Sequence, residues 1–214
     1  MTTTSVRAAL AAFLLAGCAG APPGATSETA PAADASVTEA MAPDIDPRYL
    51  IGPRGVGPVQ VGRTLAKVRA ELPGAAVRTE MFSGEFGEGE AVILEGETIA
   101  HVVAYPPLDD PGAEPVIENV FVSGARARTA DGIGPGSLLS DAVEAWGPVD
   151  LLISEIELGE YAAFQAAPFP MSVKIGAQDE DVWRGGIYAE GEDPRAGAET
   201  SQFRDDAEII EIAF

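Results

Sequence analysis

Two short segments, 74 residues apart, share one layout, and that layout limits the folds open to this chain. Val61-Gly62-Arg63-Thr64-Leu65-Ala66-Lys67-Val68 runs into Leu72-Pro73-Gly74, and Gly136-Ser137-Leu138-Leu139-Ser140-Asp141-Ala142-Val143 runs into Trp146-Gly147-Pro148. Each is a glycine turn, a hydroxyl residue and a short amphipathic run. Leu65, Val68 and Leu72 in the first, and Leu139, Ala142 and Trp146 in the second, fall at i, i+3 and i+7, one stripe of a helical period. Thr64 and Ser137 are the expected N-caps, accepting from backbone N–H groups that a first helical turn leaves free. Pro73-Gly74 and Gly147-Pro148 stop the two runs. Helices of two to three turns are not stable alone, so each stripe must lie on a sheet.

Strand-like runs follow each helix. After the first come Val77 to Phe82, Glu90 to Leu94, Thr98 to Tyr105 and Val116 to Val122. A hairpin turn is expected at Glu95-Gly96-Glu97, and a surface loop from Pro106 to Pro115. After the second come Leu151 to Ile156, Ala162 to Gln165, Met171 to Ile175 and, beyond an acidic excursion from Asp179 to Gly197, Glu208 to Ala213. Helix, strands, helix, strands predicts an α+β domain: two short helices on a mainly antiparallel sheet, built as two pseudo-equivalent halves. Coincidence in a chain rich in Gly, Leu and Ala is the competing explanation of the repeat.

The N-terminus points to export. Arg7 is followed by the apolar run Ala8 to Ala16 and then by Leu15-Ala16-Gly17-Cys18, a short hydrophobic segment ending in small residues. It is too short to span a bilayer, which takes about 20 apolar residues. The tetrad resembles the lipobox of bacterial lipoproteins, which implies cleavage before Cys18 and lipid on its thiol. Cys18 is the only cysteine, so an intrachain disulfide is excluded. Ala19, standing where sorting rules would read an Asp, favours the periplasmic face of the outer membrane. The expected organisation is a signal over 1–17, a lipidated cysteine and disordered Ala/Pro/Ser/Thr linker over 18–46, and one domain over 47–214.

Charge narrows the partners. The chain has 34 acidic and 13 basic residues, and loss of Arg7 with the signal leaves a net charge of −22. Such a surface repels nucleic acid. The expected partners are the bilayer, reached through the acylated cysteine, and another envelope protein.

Chemistry-bearing residues are sparse. His101 is the single histidine and sits beside Val102 and Val103, where a sheet-face role fits. One histidine and one lipidated cysteine cannot assemble a zinc site. Gly132-Ile133-Gly134-Pro135-Gly136 lacks the Lys-Ser/Thr of a phosphate loop and reads as a turn into the second helix. The clusters Asp179-Glu180-Asp181 and Asp205-Asp206…Glu208 lack calcium-loop spacing. No catalytic residue, cofactor or metal ligand is therefore assigned. Trp146 belongs to the helix stripe and is expected in the core, whereas Trp183, in the acidic excursion, is the candidate partner contact.

Taken together, the lipobox, Gly55-Val56-Gly57-Pro58, Leu72-Pro73-Gly74, Asp131-Gly132-Ile133-Gly134 through Trp146-Gly147, and Ile209-Ile210-Glu211-Ile212 resemble the sigma-E-regulated lipoproteins of Gram-negative bacteria. Some members carry a cysteine pair after the second helix that this chain lacks. The glycine-hydroxyl-helix unit is also similar to part of the small outer-membrane assembly lipoproteins, over about 15 residues. The resemblance implies an envelope location and a non-catalytic binding or structural role. A carboxylate-dependent envelope hydrolase or carbohydrate-active enzyme is the alternative.

Overall fold

The computed structural model describes residues 44–81, 88–154, 159–177, 184–188 and 197–214, which all fall in one compact unit. A single 3₁₀ turn, Pro47–Tyr49, opens it. Three two-residue strands follow, β1 (Ile51–Gly52), β2 (Gly55–Val56) and β3 (Val59–Gln60), paired as a small antiparallel sheet. Then comes helix α1 (Leu65–Glu71) and the strands β4 (Ala76–Met81), β5 (Glu88–Leu94), β6 (Glu97–Tyr105) and β7 (Val116–Val122). Helix α2 (Leu139–Trp146) is followed by β8 (Val149–Ile153), β9 (Glu160–Phe164), β10 (Ser172–Ala177), β11 (Glu199–Thr200) and β12 (Ala207–Ala213).

The nine longer-range strands form one antiparallel sheet in the order β11-β8-β9-β10-β12-β7-β6-β5-β4. The expected α+β fold with two short helices on an antiparallel sheet is what the chain adopts. Each helix is followed by a four-strand meander, β4 to β7 and β8-β9-β10-β12. The two meanders join through their final strands, with Ile212 opposite Val122 and Ala213 opposite Phe121.

The repeat extends to individual hydrogen bonds. In the first half, Gly62 N–H donates to Ile117 O at 2.8 Å and Ile117 N–H donates to Arg63 O at 2.8 Å. In the second, Gly136 N–H donates to Ile209 O at 2.7 Å and Ile209 N–H donates to Ser137 O at 2.9 Å. Both pairs tie the residues entering a helix to the last strand of the same half. Gly62 and Gly136 hold φ of +85° and +80°, a region that side chains with a Cβ disfavour, which explains a glycine at both. Duplicated sequence thus becomes duplicated backbone, and chance similarity of composition does not account for it.

One row of residues shows why the halves need each other. Thr200, Leu151, Ala162, Val173, Ile212, Val122, Ala100, Val92 and Val77 are successive cross-strand partners through the whole sheet. From Leu151 to Val92 every member is buried. Both stripes, Leu65, Val68 and Leu72 with Leu139, Ala142 and Trp146, enter the same core as this row. Burial of each Val, Leu or Ile there contributes roughly 1.5–3 kcal/mol.

The helix starts differ from expectation at one point. Thr64 is the N-cap of α1, its hydroxyl accepting from Lys67 N–H at 3.4 Å. Ser137 is not the cap of α2. That position falls to Leu138, which has no capping side chain, and the Ser137 hydroxyl accepts from Gly134 N–H at 3.0 Å. The repeat aligns Thr64 with Leu138, and Ser137 lies one residue early, so its oxygen reaches back into the loop. The Glu95-Gly96 turn is a hairpin as expected, with φ positive at both residues (+53° and +87°). In the loop from Pro106 to Pro115, Asp110 turns the chain by accepting from Gly112 N–H, and Leu108 is fully exposed.

Candidate functional site

Cys18 and Trp183, the two residues singled out for lipidation and partner contact, lie outside the described residues. So do most of the acidic excursion and the cluster Asp179-Glu180-Asp181. The part of that excursion that is described, residues 184–188, returns to the sheet and makes the most unusual polar site among the described residues.

That site is built around Glu160. Strand β9 alternates, and Glu160, Ala162 and Phe164 share the face that carries the core row, since Ala162 belongs to it. Glu160 is 1% exposed. A buried carboxylate is costly unless its lone pairs are filled. Here Oε2 accepts from Gly185 N–H at 2.7 Å and from Gly186 N–H at 3.1 Å, and Oε1 accepts from Gly186 N–H at 3.1 Å and from the Tyr188 hydroxyl. Glycine is required by approach: a Cβ on Gly186 would stand 2.4 Å from Glu160 Oε1, and one on Gly185 would stand 2.8 Å from the Ala207 Cβ. Burial, and then the hydrogen bond to Glu160, push the Tyr188 hydroxyl well above its ordinary value, so it remains a donor. The segment is also paired by backbone, with Ile187 N–H donating to Gln202 O at 2.9 Å and Arg204 N–H donating to Gly185 O at 2.8 Å. Three donors from residues 185–188 converge on Glu160, so the carboxylate acts as a clamp that fastens this segment to β9.

A second polar cluster gathers where the domain begins. The Tyr49 ring is buried and lies 4.1 Å beneath the Arg126 guanidinium, which also donates to the Tyr49 hydroxyl. Arg126 pairs with Glu95 at 2.8 Å and with Glu97 at 2.9 Å. Arg48 pairs with Asp46 at 2.6 Å and with Glu95 at 2.8 Å. Glu95 therefore bridges two guanidiniums, which accounts for a glutamate at the left-handed turn position where Asn or Gly is usual. Hydrogen bonds from Arg126 and then Arg48 hold Glu95 below the ordinary carboxylate range, and the hydrogen bond from Arg48 does the same for Asp46. The cluster ties the entry of the domain to the β5–β6 turn and to the link between the halves.

The sheet face opposite the helices is the third candidate. Arg78, Ala91, His101, Phe121, Ala213 and Ser172 form one cross-strand row on it. A second row is Glu199, Leu152, Tyr161, Lys174 and Glu211. His101 occupies the sheet-face position expected of it, with Nε2 3.6 Å from Glu80 Oε2. Leu152, Tyr105 and Ile187 are exposed apolar residues. Trp146, as expected, is core: it packs edge-on against Phe164 at 5.1 Å and its indole N–H donates to Asp131 at 3.0 Å. Asp206 is held by Arg204 at 2.8 Å. Among the described residues, no three His, Cys, Asp or Glu side chains converge as a metal site would need.

Sequence reasoning missed Glu160 because it began β9 two residues late, at Ala162. The available signal was a glutamate in phase with Ala162 and Phe164, together with the Gly185-Gly186 pair ahead of Tyr188. No family model matches the chain, and no curated protein or solved structure matches it.

Proposed function

We propose that this chain is a bacterial envelope lipoprotein, cleaved before Cys18 and anchored by lipid on the periplasmic face of the outer membrane, whose folded domain binds another protein. The observation that carries the reading is Leu15-Ala16-Gly17-Cys18, placed directly after an apolar run and containing the only cysteine. A diacylglyceryl group plus an amide-linked acyl chain would supply the two hydrophobic anchors that stable attachment needs. Residues 18–46 then act as a tether. The motif resemblance to sigma-E-regulated lipoproteins points the same way.

A binding role is better supported than the carboxylate-enzyme alternative. General acid–base work needs an acid free to reach a substrate proton. The one buried carboxylate among the described residues is Glu160, and its oxygens face Gly185, Gly186 and Tyr188. Cells expressing the full chain or Cys18→Ala, grown with a palmitate analogue and then fractionated, test the anchor. Label and membrane recovery are expected for the first and absent for the second. Label on the Cys18→Ala chain, or normal processing of it, would overturn the lipoprotein reading.

A further inference from the structure

The two sides of the nine-stranded sheet end differently. On one side β11 covers part of β8. On the other, β4 pairs only with β5 among the described residues, leaving the outer row of N–H and C=O groups along six residues. Open edges of that length invite pairing, and proteins usually guard them with charge.

The guard on β4 has a pattern. Val77-Arg78-Thr79-Glu80-Met81 reads apolar, cation, hydroxyl, anion, apolar. Set antiparallel against itself about Thr79, the strand places Arg78 opposite the second copy's Glu80, twice, and Val77 opposite the second copy's Met81, twice. Both pairings keep residues of one sheet face together, because positions two apart share a face. The register works whichever residues direct their amides outward, because every pair joins positions of the same parity. We infer that β4 pairs with the β4 of a second copy of this chain, antiparallel and centred on Thr79, to join two sheets into one.

Three further observations fit this occupant. Arg78 is exposed and has no partner among the described residues, in a chain with 34 acidic residues. Met81 is 76% exposed, and the paired edge would give it the second copy's Val77. A symmetric partner also explains the order of the charges. A foreign strand meets a cation and an anion it must match, whereas a twofold-related copy supplies the reverse order automatically. This inference does not depend on the lipid anchor.

The test uses the full chain carrying Cys18→Ala, which removes the only native thiol. Sedimentation over a range of concentrations should show a monomer–dimer equilibrium. Thr79→Cys should then form a covalent dimer on mild oxidation, whereas Ala163→Cys, on β9, should not. Arg78→Glu replaces two attractive pairs by two repulsive ones and should weaken the dimer at least about tenfold. Arg78→Glu combined with Glu80→Arg restores both the pairing and the net charge, and should restore the dimer. Arg78, Thr79, Glu80 and Ala163 are all exposed, and circular dichroism verifies that each variant folds. A monomer at every concentration would show that the charges only block the edge. That result, a dimer indifferent to Arg78→Glu, or a double variant no better than the single one would each overturn the inference.

Discussion

The first half of the domain and the second run the same course, yet they finish it differently. In the first, α1 and β4 to β7 follow one another with a tight turn between β5 and β6, and the outer strand β4 is six residues long and unpaired on one side among the described residues. In the second, residues 184–188, between β10 and β11 in the chain, pair with the segment before β12, and β11 lies beside β8. The scaffold is common, and the second half uses its additional segment to cover what the first half leaves open. The clamp at Glu160 has no counterpart in the first meander among the described residues: the matching position two residues before the core row on β5 is Glu90, which lies at the surface and accepts from the Thr79 hydroxyl at 3.0 Å. Symmetry therefore accounts for the core and departure from symmetry for the distinctive polar features.

The sharpest attempt to break the comparison removes equivalent core residues. Trp146→Ala is expected to cost about 3–5 kcal/mol and Leu72→Ala about 2–5 kcal/mol. Because the row from Thr200 to Val77 crosses both halves, each variant should still unfold in one transition, read by urea titration with two optical probes. Separate transitions for the two halves would show that the shared sheet does not couple them.

A smaller, local effect is expected at the clamp. Glu160→Ala leaves the Gly185 and Gly186 N–H groups and the Tyr188 hydroxyl without their acceptor; the fully buried Gly185 N–H accounts for a loss of about 1–3 kcal/mol, and the two half-buried groups can turn to water. Hydrogen exchange should quicken at residues 185–188 and 202–204, with β5 and β6 protected as before. Uniform loosening of the whole domain would refute a local clamp.

The least costly test concerns the helix starts. Thr64→Ala should cost about 1 kcal/mol and raise exchange in the first turn of α1. Ser137→Ala should spare α2 and loosen the loop at Gly134, since its hydroxyl serves that N–H. Equal effects on both helices would restore the symmetric capping that the sequence suggests.

These contrasts also mark what was legible beforehand. Glycine turns, the i, i+3, i+7 stripes and strands such as Val116–Val122 are local patterns with a fixed period, and they appear where expected. Ser137 misled because Ser is a good cap by type, and a shift of one residue changes which N–H its oxygen meets. Glu160 went unnoticed because its donors stand 25 or more residues away, on a segment with no periodic signal. The charge order on β4 was in plain view, but it acquires meaning only once β4 is known to be an edge.

The junction of the halves has a consequence for how the molecule comes together. β12 is the last of these strands in chain order, yet it stands in the interior of the sheet between β10 and β7. As a chain emerges from its N-terminal end, from a ribosome or through a translocation pore, both meanders can begin to assemble before the strand that joins them arrives. Until then β7 and β10 each offer a bare flank of backbone amides, and the growing chain is at its most adhesive just before it is finished. Closure is a zip fastened from the middle by its last tooth, and any factor that shields those two flanks before β12 arrives would act on the step that decides between one folded domain and an aggregate.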